Sequence, residues 1–124
     1  MTESTTDTQP ISPQDKERIR HCLDALEDRK AENLKVLDVR GQSSVTDFLI
    51  LATGNSQPHL RALRVAAERA FADKGSEVLG TDNHPESGWV VVDAYDIMVH
   101  VFTTDVRDNY RLEVLWKDAL PVDL

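Results

Sequence analysis

With 124 residues, 40% of them apolar, this sequence has the length and core material of a single globular domain. Its formal net charge of −8 argues against affinity for phosphate backbones, which comes from Lys and Arg, and suits a basic partner. No apolar run approaches the ~18 residues of a membrane span. The start, MTESTTDTQP, lacks the basic and apolar stretches of a signal peptide, so a cytoplasmic protein is expected.

Residues 1–11, rich in Thr, Ser and Asp, are expected to form a disordered tail, with one domain over 12–120 and a short tail over 121–124. Ser12 and Pro13 are suited to cap and open a helix. Ile19, Cys22, Leu23 and Leu26 then mark one helical face, and the helix is expected to fade near Asn33. Cys22 is the only cysteine, so no internal disulfide is possible, and its neighbours give it a packing role. Val36–Val39 and Phe48–Ala52 flank the turn Gly41-Gln42-Ser43-Ser44 and read as a hairpin. Its second strand is apolar throughout, as a strand covered on both faces would be.

Thr53-Gly54-Asn55-Ser56 ends that strand, and Ser56 can cap a second helix with Leu60, Leu63, Ala67, Ala70 and Phe71 on one stripe. A short strand is expected around Glu77–Leu79, followed by a polar loop over 81–88. Trp89–Val92 and Ile97–Phe102 read as a hairpin joined by Asp93-Ala94-Tyr95-Asp96. Asp105–Trp116 reads as a last helix with Val106, Tyr110 and Leu115 facing inward. The order α-β-β-α-β-β-β-α predicts an α/β fold: a mixed five-stranded sheet flanked by helices, with one parallel pairing made by the helical crossover.

The chemistry-bearing residues do not assemble into a catalytic pattern. His21, His59, His84 and His100 are scattered without metal-ligand spacing, so neither a metal nor a cofactor is expected. Thr53-Gly54-Asn55-Ser56 lies where a strand feeds a helix, a place suited to an anion, but neither phosphate-binding glycine motif is present. Gly41 to Asp47 invites comparison with the nucleotidyltransferase fold. There, however, two-metal chemistry requires several converging carboxylates, and the position after Phe48 is Leu49. His100, between Val99 and Val101, suits a structural role better than that of a general base. Asp93 and Asp96 are ordinary turn residues by type. Trp89 begins a strand, where tryptophan is usually core, although tryptophan is also enriched among interface anchors.

Several segments, taken in order, resemble the ribosomal silencing factor family, also called Iojap-like. They are Leu37-Asp38-Val39 with Gly41, Ser43-Ser44-Val45-Thr46-Asp47, Ala52-Thr53-Gly54-Asn55-Ser56 with His59, Trp89-Val90-Val91-Val92-Asp93, Asp96-Ile97-Met98-Val99-His100-Val101-Phe102, and Tyr110-Arg111-Leu112-Glu113-Val114-Leu115-Trp116. The resemblance covers about residues 16–117. It implies a non-enzymatic translation repressor that docks on the large ribosomal subunit through its basic protein L fourteen and blocks joining of the small subunit. It further implies a fold related to the nucleotidyltransferases, and a free protein able to self-associate. Carried onto this chain, the docking residues it implies are Trp89, Asp93 and Ala94. His100 and Tyr110 match family positions that either touch the partner or support the fold. Four positions depart from the family pattern: Pro58 stands where Arg is common, Asp82-Asn83 replaces Glu-Gly, and Ala94 is smaller than the Leu of some members. The last would remove an apolar contact worth roughly 1–2 kcal/mol. A large-subunit maturation factor using the same surface, and an enzyme of nucleotidyltransferase type centred on Asp47, are the rival readings.

Overall fold

The computed structural model describes residues 11–40, 46–76, 78, 80–84, 87–110 and 120–122. Helix α1 spans Pro13–Asp28, β1 Glu32–Asp38, β2 Phe48–Gly54 and α2 Gln57–Asp73. Strands β3 Gly80–His84, β4 Trp89–Asp93 and β5 Ile97–Thr103 follow, then α3 Thr104–Tyr110 and the two-residue β6 Leu120–Pro121. The strands form one mixed sheet in the order β3-β4-β5-β2-β1-β6. Four of them, β4-β5-β2-β1, make its body, and the short β3 and β6 lie at its edges.

Both long helices begin where hydroxyl caps place them. The Ser12 side chain accepts from the Asp15 amide with Pro13 at the first helical position, and the Ser56 side chain accepts from the His59 amide. Pro58 falls in the first turn of α2, where a missing N–H costs nothing. Ser56→Ala is expected to lower stability by about 1 kcal/mol, read as an earlier urea midpoint with an unchanged slope.

The predicted stripes are the buried ones, except that Leu23 of α1 is only partly buried. Ile19, Cys22 and Leu26 of α1 and Leu60, Leu63, Ala67, Ala70 and Phe71 of α2 are all buried. They pack against Val36 of β1, Phe48, Ile50 and Ala52 of β2, Val90 and Val92 of β4, and Ile97, Val99 and Val101 of β5. Burial pushes the Cys22 thiol up to about 12, so this side chain behaves as a small apolar group. The alternate residues of the same strands point to the other face. There Leu37, Val39, Leu49, Leu51 and Phe102 form a second, smaller core with Trp89, Met98 and Val106 at its margin. Strand β2, with every residue buried, lies between the two cores. Its seven-pair parallel ladder with β5 is the pairing that the helical crossover predicts.

Four sequence expectations need correction. First, the sheet has more strands than the expected five, because β6 pairs antiparallel with Leu37 and Asp38 of β1. The stretch read as a tail thus begins inside a strand, and the Val122 amide donates to the Val36 carbonyl. A two-residue strand containing proline carries no periodic signal. Second, the strand expected around Glu77–Leu79 is found at Gly80–His84, in the stretch read as a polar loop. It is an edge strand paired only with β4 among the described residues, so backbone hydrogen bonds suffice to hold it and no apolar alternation is needed. Third, α1 stops at Asp28, well before Asn33. Lys30 and Asn33 both adopt positive φ, 69° and 51°, and the Ala31 amide returns to the Leu26 carbonyl, so the chain reverses and β1 starts at Glu32. Fourth, the last helix begins at Thr104, one residue early, and is described as far as Tyr110. The rest of that predicted helix, including Leu115 and Trp116, lies outside the described residues, as does the turn over 41–45. No helix among the described residues is long and apolar enough to cross a membrane.

Candidate docking site

Helices α1 and α2 cover one face of the sheet. On the other, β4 presents a half-exposed stripe of Trp89, Val91 and Asp93, while Val90 and Val92 between them are buried under the helices. The register with β5 sets Phe102 opposite Trp89, His100 opposite Val91 and Met98 opposite Asp93. A partly exposed strip along β4 results, aromatic at one end and acidic at the other, with Phe102 and His100 of β5 buried beside it.

Trp89 is fixed in place from several sides. Its ring lies 6.1 Å from that of Phe102 and 5.9 Å from that of His100, tilted by 48° and 49°. Its indole Nε1 donates to His100 Nδ1 at 3.0 Å. Just before it, Gly88 has φ +81°, and its carbonyl accepts from the Thr103 amide. A Cβ at Gly88 would come within 2.8 Å of Val106 Cγ2, so a glycine is needed both for the turn and for the approach of α3. Over the Phe102 ring, 5.4 Å from its centre, the Arg107 guanidinium of α3 donates to the Thr53 hydroxyl at 2.8 Å and to the Asn33 carbonyl at 2.7 Å. These contacts tie α3 to the ends of β1 and β2.

At the acidic end the Asp93 carboxylate accepts the Tyr95 amide at 2.9 Å, an Asx-type closure of the β4–β5 turn. Asp96 completes the turn. Its carbonyl accepts from the Asp47 and Phe48 amides, and its carboxylate forms a two-pronged pair with Arg18 of α1 at 2.8 and 3.0 Å. The hydrogen bonds from Arg18 hold the Asp96 carboxyl below its ordinary value, and Asp96 raises Arg18 in turn. Between them, Tyr95 stands 74% exposed at φ 76°, a backbone region rarely occupied by a bulky residue. Asp96→Asn weakens the pair that anchors this turn to α1. The expected cost is about 1–2 kcal/mol in chemical denaturation, because both side chains are only partly exposed.

The expected docking residues are therefore not all equivalent. Trp89 and Asp93 share the partly exposed side of β4. Ala94 has a 1% exposed methyl facing the helix-side core, so it offers a partner no side-chain surface, and the smaller residue is accommodated by packing. This corrects the expectation of a docking contact there: the chain turns at Ala94, whose amide donates to the Ile97 carbonyl. His100 is 7% exposed and lies beneath Trp89, and Tyr110 is the last residue of α3. Asp47, the candidate for metal chemistry, uses its backbone to link Val39 and Asp96. Sequence reasoning missed Tyr95, Gly88 and the Arg18–Asp96 pair. A tyrosine inside a tight Asp-flanked turn was the available signal for the first, while the pair joins residues 78 positions apart and leaves none.

A family model described as ribosomal silencing factor during starvation matches residues 12–124. The chain belongs to this family. The ribosomal silencing factor RsfS of Bacillus subtilis is 37% identical over 100 residues, covering 81% of this chain and 85% of that one. RsfS of Halalkalibacterium halodurans is 33% identical over 108 residues, covering 87% and 92%. The crystal structure of a protein from Chromobacterium violaceum superposes with a TM-score of 0.78 at 34% identity, over 82% of this chain and 85% of that one. Of the family segments quoted above, two fall on β4 and β5, one on the junction of β2 with α2 and one on the end of β1; Asp47 leads into β2, Tyr110 ends α3, and residues 41–45 and 111–116 lie outside the described residues.

Proposed function

We propose that this family member is a cytoplasmic, non-enzymatic ribosome silencer that docks through the Trp89–Asp93 strip onto the large ribosomal subunit at its protein L fourteen, and so bars the small subunit from joining. The observation that carries this reading is a partly exposed tryptophan, braced by Phe102 and His100, at one end of a strip whose other end is acidic. Braced aromatic side chains are typical interface anchors. The acidic end and the net charge of −8 complement a basic partner and would speed encounter with it. Asp93 serves the turn through one carboxylate oxygen, and Tyr95 stands exposed in the same turn. The free chain can self-associate through the same face, which the ribosome would then compete for.

The deciding experiment is co-sedimentation of the protein with purified large subunits, followed by addition of small subunits. Binding that prevents joining is expected. Binding that leaves joining intact would indicate a maturation role at the same surface, and absence of binding at moderate salt would refute docking altogether.

A further inference from the structure

We propose that His100 is the positioning residue of the docking tryptophan: its Nδ1 accepts the Trp89 indole N–H and fixes the rotation of that ring on the side of the sheet away from α1 and α2. The inference rests on the reading of Trp89 as the anchor and gives His100 a role distinct from contact.

The two residues are diagonal neighbours across the β4–β5 ladder, since Val91 pairs with His100 and Trp89 with Phe102. At that separation only long or aromatic side chains meet, and here they meet through a hydrogen bond of 3.0 Å as well as through their rings. Phe102, fully buried, supplies an apolar wall beside the polar one, so among the described residues the indole meets both kinds of neighbour. An indole has a single polar hydrogen. Because that hydrogen is used inside the fold, the part of Trp89 left to face a partner is carbon. Docking then requires shape fit to a ring already in place, and the entropy cost of ordering a mobile side chain on binding is reduced. His100 exposes only 7% of its surface, too little to anchor a partner directly.

The bond also requires a particular histidine. Nδ1 must carry the lone pair, which puts the proton of the neutral ring on Nε2. Burial holds the His100 pKa down at about 4, so the ring is in that neutral state at physiological pH. Flanking Val99 and Val101 belong to the helix-side core, which fixes the strand on which His100 is presented.

The test uses the full chain labelled with nitrogen-15. An N–H···N bond transmits a scalar coupling between its two nitrogens, and such a coupling between Trp89 Nε1 and His100 Nδ1 is expected in the unmodified protein. Its absence would overturn the proposal without any variant having to fold. In His100→Leu the Trp89 indole resonance is expected to move toward that of a solvent-exchanging indole, with large-subunit binding about fivefold weaker. His100→Asn, whose amide oxygen can stand near the former Nδ1, is expected to recover both the resonance and the affinity, and recovery of neither would count against the proposal. Trp89→Ala separates the two readings. Full binding by Trp89→Ala would sink the anchor and with it any docking role for His100. Lost binding by Trp89→Ala together with full binding by His100→Leu would overturn the positioning role alone.

Discussion

In the Trp89→Glu protein, affinity for the large subunit is expected to fall at least about 30-fold, or ~2 kcal/mol. Two losses combine. The substitution removes the aromatic surface that the sheet holds against Phe102 and His100. It also places a carboxylate where a partner would have to desolvate it. Trp89 is partly buried, so the variant must first be shown to keep its fold, by an unchanged far-ultraviolet spectrum and a cooperative urea transition. Trp89→Phe is the companion measurement. It keeps the apolar ring but cannot donate to His100, and should bind with an affinity between those of the parent and Trp89→Glu. A folded Trp89→Glu that binds and blocks joining like the parent would remove Trp89 from the interface. The search for the docking surface would then move to Tyr95 and the β4–β5 turn.

What could be read from the sequence was whatever leaves a periodic or compositional trace. The helix stripes ending in Leu26 and Phe71 repeat at helical spacing, and the caps Ser12 and Ser56 stand immediately before them, so both helices and their buried faces were legible. Strand β2 was legible as a run with no polar side, which is why it lies between two cores. Edge elements were not. Gly80–His84 holds its place through a ladder of backbone hydrogen bonds, and Leu120–Pro121 is too short to show any alternation. The site divides in the same way. Trp89 and Asp93 stand out by residue type and spacing, two odd positions of a strand whose even positions are valines. The partners that make Trp89 rigid come from other elements: the acceptor on His100, the close approach of Val106 to Gly88, and the bracing of α3 by Arg107. Each depends on register across the sheet, which no local window contains. Ala94 shows the opposite error. A position next to the strip was expected to share its face, but the chain turns there and its methyl enters the other core.

Register also gives this face a pH signature. His100 is an ordinary imidazole in the unfolded chain, titrating near 6.5, whereas in the folded protein burial lowers it to about 4. Above 6.5 the ring is neutral in both states and folding is indifferent to it. Between 6.5 and about 4 the unfolded chain takes up a proton that the folded protein does not, so stability falls as the solution is acidified. The gap corresponds to about 3 kcal/mol, a substantial part of the 5–15 kcal/mol that typically holds a domain together. Another stability effect of acid, loss of the Arg18–Asp96 pair, comes later. Asp96 is held below its ordinary value of 3.8, so its contribution disappears only as the pH drops through and below that range. Urea denaturation of the parent at closely spaced pH values should therefore show a decline that begins below 6.5, separate from the carboxylate transition. His100→Leu, which carries no titrating group at that position, should lose the first decline and keep the second. The same proton, once forced onto Nδ1 in the folded protein, takes away the acceptor of the Trp89 indole. Release of the Trp89 ring in the folded protein should thus follow the folded value of about 4, where this acid weakening of the fold levels off, and a ring that stays fixed in parent protein titrated below that value would show that packing is enough to hold it.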